Sequence, residues 1–147
     1  MTHADTAVER FKEGFNCAQS VLYSYSETLD MDPDLALRIA TGFGGGMGRK
    51  QEVCGAVSGG ILVLGLLHGR GKHDGKERVE KTYAEVRDFI DAFIGVHGTI
   101  CCRELLSGCS LLTEEGRKRF VTDGLIKQCR EYIRTVCDIL DRQSFQA

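Results

Sequence analysis

The chain has 147 residues, the size of one domain, and its 42% hydrophobic content is enough to bury a core. A net charge of −2 and a pI near 6.1 leave no basic footprint, so no nucleic-acid partner is expected. Seven cysteines, an odd number, argue against a complete disulfide framework.

The first segment, Ala4 to Lys12, reads as a short helix with Thr2 or Asp5 as its cap. Asn16 with Gln19 three residues later has the form of a capping box. It opens a helix from Cys17 to about Leu29 with Ala18, Val21, Leu22 and Tyr25 on one face. Asp32-Pro33 is a cap followed by proline at the first helical position, for a helix to about Ala40. Thr41 to Lys50 reads as a glycine-rich loop.

The next helix is expected from about Gln51 to His68. It is apolar nearly all round, as in a buried central helix. Its glycines, Gly55, Gly59 and Gly60 among them, each cost about 1 kcal/mol in a helix interior and imply close approach by a neighbour. The uncharged run Val53 to Leu67 would span roughly 22 Å as a helix, short of a membrane core, so no membrane insertion is expected. Lys76 to about Val96 reads as a long amphipathic helix with Val79, Tyr83, Val86, Ile90 and Phe93 inward. Thr99 is expected to cap a short helix through Leu106, Thr113 another, and Asp123 the last. The inner stripe of that last helix is Ile126, Cys129, Ile133, Val136, Cys137 and Leu140. No alternating strand pattern occurs. The expectation is one all-α domain over residues 1–147, with six to eight helices around the glycine-rich one.

The N-terminal residues have neither a basic segment nor an apolar one, so no signal peptide is expected, and the setting is read as a reducing cytoplasm. There, surplus cysteine points to metal binding or redox chemistry. Cys17, Cys54 and Cys102 all fall at expected helix starts, where free N–H groups and the helix dipole favour a thiolate. Acidic, readily oxidised thiols are therefore expected, with Cys17 and Cys54 as the first pair to close. Cys129 lies inside the last helix. Cys109 and Cys137 read as ordinary core residues, and Cys101 could be either.

Three blocks, Phe15-Asn16-Cys17-Ala18-Gln19, Gly42 to Arg49 running into Cys54-Gly55-Ala56-Val57-Ser58-Gly59, and Cys102-Arg103-Glu104-Leu105-Leu106, are followed by Cys129. Together they resemble the C-GCAxxG-C-C family of redox-active proteins across nearly the whole chain. The resemblance implies redox activity carried by Cys17, Cys54, Cys102 and Cys129. It leaves open whether they hold a metal cluster or cycle between thiol and disulfide, and it places Cys101, Cys109 and Cys137 outside the pattern.

The loop Gly44, Gly45, Gly46, Gly48 and Arg49 has neither P-loop nor dinucleotide-binding order. It reads, with Gly55, as a cover for the cysteine site and the cofactor-binding part of it. His68, His73 and His97 lack metal-ligand spacing and read as exposed helix-end residues. Glu13, Glu52 and Glu104 lie near the four cysteines as candidate proton carriers. The leading reading is an electron-transfer protein with an iron–sulfur cluster on the four cysteines, and a dithiol/disulfide pair is its nearest rival. A structural zinc site and a small-anion binder stay open as alternatives without redox turnover. The expected partners are a redox partner of unknown identity and, as an open alternative, a second copy of the chain.

Overall fold

The computed structural model describes residues 1–146, and Ala147, the last residue of the expected domain, lies outside them. Among the described residues there are seven helices of eight residues or more, two single helical turns and no strand, so the fold is all-α. Helix α1 is His3–Lys12, with Thr2 as its cap and Asp5 completing a capping box. Helix α2 is Cys17–Ser26, held at its start by the Asn16–Gln19 capping box expected from the sequence. Helix α3, Pro33–Ala40, starts at the Asp32 cap with proline at its first position.

After a 3₁₀ turn at Thr41–Phe43 and a single turn α4 at Gly44–Met47 comes helix α5, Gly55–His68. It starts four residues later than the sequence suggested, because residues 51–54 pair with residues 100–103 instead of turning into the helix. Helix α6 is Glu77–His97, α7 is the single turn Cys102–Leu105, α8 is Glu114–Thr122 and α9 is Leu125–Ser144. Two caps differ from expectation. Cys101, not Thr99, precedes α7, while the Thr99 hydroxyl accepts from the Cys101 N–H at 3.0 Å. Asp123 closes α8, and Gly124 in the left-handed region (φ 74°) starts α9, because the turn between two abutting helices needs positive φ.

Helix α2 lies at the centre, packed on α1, α3, α5 and α9. The small residues of α5 allow this. A Cβ on Gly59 would stand 2.9 Å from the Ala18 carbonyl oxygen and 3.0 Å from the Val21 Cβ, so α2 and α5 pack closer than any larger residue permits. Residues 55–60, Val63 and Leu64 of α5 are buried, but its C-terminal part emerges and Leu66 is exposed. On α6 the buried pair is Phe89 and Phe93; Tyr83, expected inward, is 56% exposed. Its phenol tolerates water, while Val86, Ile90 and Phe93 of the same expected stripe do face the core.

The chain's two ends are tied together. The Tyr25 hydroxyl donates to Asp141 Oδ1 at 2.7 Å, His3 stacks on Tyr25 at 4.0 Å, and Arg134 pairs with Asp5 at 3.2 Å. These contacts fix α9 against α1 and α2, and so fix where Cys129 stands.

Candidate redox site

Cys17 is the first residue of α2, immediately after the Asn16 cap and inside the capping box that sets the direction of the helix. Cys129 is on the buried face of α9. The two are neighbours, and Cys129 is the largest single influence on the Cys17 thiol. Cys54 also acts on the Cys17 thiol, more weakly than Cys129, so Cys129 joins Cys54, the first guess from sequence, as a candidate partner for Cys17.

Cys54 and Cys102 are brought together differently. Val53 and Cys101 face each other in one antiparallel bridge, flanked by the Cys54 N–H donating to the Ile100 carbonyl (2.7 Å) and the Cys102 N–H to the Glu52 carbonyl (2.6 Å). Side chains alternate along extended chain, so residues 52, 54, 100 and 102 share one face and 53 and 101 the other. Cys54 and Cys102 are therefore diagonal neighbours, while Cys101 points away and its sulfur faces the Gln51 carbonyl at 3.6 Å. Cys54 then serves as the cap residue of α5, and Cys102 is the first residue of α7.

The glycine loop covers these cysteines with a left-handed turn. Gly45, Gly46, Met47, Gly48 and Arg49 all have φ between 59° and 70°, and Gln51 has φ 57°. Such a run is open to glycine and costs other residues roughly 1–2 kcal/mol each. Gly46 also makes the closest approach: a Cβ there would lie 2.7 Å from the Cys102 Cβ and 2.7 Å from the Gln51 Cα. Gln51 is buried and bridges two segments. Its Nε2 donates to the Cys109 carbonyl at 2.7 Å, and its Oε1 accepts from the Leu111 N–H at 2.8 Å.

A cavity of about 560 Å³ opens under this loop. Cys17, Cys54, Cys102 and Cys129 all line it, as do Gly44, Gly45, Gly46, Gly48, Arg49 and Gly55. Sequence reading missed Tyr132, Arg117 and Phe120, which also line it. Their signal was there in part: Tyr132 follows Cys129 by three residues on α9, and Phe120 follows Arg117 by three on α8, spacings that share a helix face. The Tyr132 hydroxyl donates to the Leu105 carbonyl at 2.9 Å.

The other candidates stand apart. Cys109 packs in the same small apolar cluster as Cys102 and Cys129, yet its thiol donates to the Gly116 carbonyl at 3.2 Å and it does not line the cavity. Cys137 is fully buried in the main core. Glu13, Glu52 and Glu104 are exposed, and among the described residues no carboxylate lines the cavity. His68 and His97 are half-buried and not solvent-exposed ends; His97 Nε2 lies 2.9 Å from the Thr135 hydroxyl. His73 is exposed.

The thiols are not acidic, contrary to the helix-start argument. The neighbouring Cys129 sulfur, then burial, holds the Cys17 thiol well above its ordinary range. Burial pushes Cys54 from 9.0 to about 11, although the N–H groups of Val57 and Ala56 pull it down. Burial and then the neighbouring sulfurs push Cys102 to about 12. Desolvation and crowding of like charges outweigh the helix termini. Burial also raises the Tyr132 phenol. At neutral pH Cys17, Cys54 and Cys102 are thus neutral thiols.

The fold and site define an all-α protein with a four-cysteine cavity. Residues 15–143 match the protein family described as "Putative redox-active protein (C_GCAxxG_C_C)". The chain belongs to this family. It is also similar to an uncharacterized protein of Archaeoglobus fulgidus, 26% identical over 120 residues that cover 77% of this chain and 80% of that one. No solved structure matches the chain. No helix among the described residues is long and apolar enough to cross a membrane.

Proposed function

We propose that Cys17, Cys54, Cys102 and Cys129 hold an iron–sulfur cluster and that the protein transfers electrons through it. The observation that carries this reading is that four cysteines from four separate segments, and no carboxylate, line one cavity. Iron–sulfur clusters take four cysteine thiolates, and the donor set fits. So does the space, which is far larger than one ion needs. A structural zinc site fits less well: among the described residues no three His, Cys, Asp or Glu side chains stand together as the ligands of a metal ion. A cluster spreads its ligands over several irons and does not need three donors around one point. When bound, it would supply one-electron transfer at a potential set by burial and by N–H groups near the sulfurs.

The Cys17–Cys129 contact favours one second reading, a dithiol that closes to a disulfide. Closing it removes two electrons and two protons, which a peroxide or a small-molecule disulfide would accept.

Visible absorbance of protein purified without oxygen tests the first reading. The wild type should be brown. Serine at position 17, 54, 102 or 129 should bleach it, while Cys109→Ser and Cys137→Ser keep the colour. Equal colour in all six variants would reject the four ligands.

A further inference from the structure

Beside the thiols the cavity has an apolar wall, with Phe11, Leu106, Leu111 and Phe120 among its lining residues. The charged side chains on that lining are Arg49 and Arg117. Neither makes an ion pair among the described residues, whereas Arg10, Arg78, Arg119 and Arg134 all do. Two guanidiniums in one cavity with no carboxylate leave an uncompensated positive charge beside an apolar wall.

Arg117 is anchored by a hydrogen bond, whereas Arg49 is exposed and is positioned by its backbone. Arg117 is half-buried on α8, and its Nη1 donates to the Leu111 carbonyl at 2.9 Å, which anchors one edge of the planar group. Arg49 occupies the left-handed region at φ 67°, where glycine would sit without strain. Its stem lies over Gly45, whose Cβ, if present, would be 2.9 Å from the Arg49 Cγ. A strained position that carries a long charged side chain, at the mouth of a cavity, points to a use for that side chain. Guanidinium groups bind carboxylates through paired hydrogen bonds.

We propose that this cavity binds a small organic acid, its carboxylate held by Arg49 and Arg117 and its apolar body packed against Leu111 and Phe120, beside the four thiols. This goes beyond the redox reading and stands without it, since none of the groups that hold the acid is a cysteine.

Calorimetric titration of the full-length protein, both as purified and after reduction and chelation, provides the test. The probes are phenylacetate, naphthoate and octanoate, each paired with its own neutral amide. At least one acid should bind about tenfold more tightly than its amide. Arg49→Met changes an exposed residue and should remove most of that advantage while leaving amide binding alone. Arg117→Met should do the same, with Arg117→Lys retaining part of it and circular dichroism confirming the fold. Phe120→Ala should weaken acid and amide alike. Cys54→Ser should still bind the acid, so the cluster and the acid site fail separately. The proposal is overturned if no acid binds better than its amide, or if the preference survives in the Arg49→Met/Arg117→Met double variant.

Discussion

Cys17, at the start of α2, is the neighbour of Cys129 on α9, and the two sulfurs bring together helices from opposite ends of the chain. No short cysteine motif creates this contact. It exists because the capping box directs α2 and the Tyr25–Asp141 and Arg134–Asp5 contacts dock α9. When the metal-free protein is oxidised, Cys17 and Cys129 should therefore be the first pair to form a disulfide. Peptide mapping by mass spectrometry reads the pairing. Cys17→Ser should leave Cys129 free, and a dominant Cys17–Cys54 link would contradict the geometry.

Gly46 should tolerate no side chain. Gly46→Ala adds a methyl against the Cys102 Cβ and the Gln51 backbone at a left-handed position, which combines overpacking with backbone strain. The expected loss is about 2 kcal/mol or more in a urea denaturation series, together with loss of any bound metal. Gly48→Ala is the control: it meets no neighbour, and backbone strain alone should cost it about 1 kcal/mol.

Met47 gives the opposite case. It is partly exposed, yet held at φ 70°. Met47→Gly relieves the strain with little packing to lose, and should raise stability by about 1 kcal/mol. A lower denaturation midpoint would mean that Met47 makes contacts that outweigh its backbone.

Local signals in the sequence were reliable where the chemistry is local. The Asn16–Gln19 box, the Asp32-Pro33 start and the Thr113 cap all form as read. The Val53–Cys101 bridge was invisible, because one isolated pair leaves no alternating pattern. That bridge is nonetheless what sets Cys54 beside Cys102 and turns Cys101 away. The acidity of the thiols was misread for a related reason. A helix start can be seen in sequence, but the burial that overrides it is a property of the packed cavity.

Raised thiol pKa values also fix the sign of an alkaline transition. Burial holds Cys54 at about 11 and Cys102 and Cys137 at about 12, against 9.0 when exposed. The native state keeps these protons after the unfolded chain has begun to release them. Stability from this source is therefore complete below about pH 9 and declines as pH rises from there toward 12. Urea midpoints of the reduced, metal-free protein should be level from pH 7 to 8.5 and fall above it. Alkylation of the native protein should likewise be slow at pH 8 and accelerate only at higher pH. Fast labelling of Cys54 at pH 7 would show an acidic thiol and contradict the burial argument.

The central claim is that four thiolates converge on one cluster, and elemental analysis tests it most directly. Iron, zinc and acid-labile sulfide should be measured in protein purified without oxygen and supplied with iron and sulfide. Iron and sulfide in equal amounts, more than one of each per chain, with zinc negligible, is the predicted result. One zinc per chain without sulfide, or a metal-free protein whose four cysteines all titrate as thiols after that supply, would contradict it.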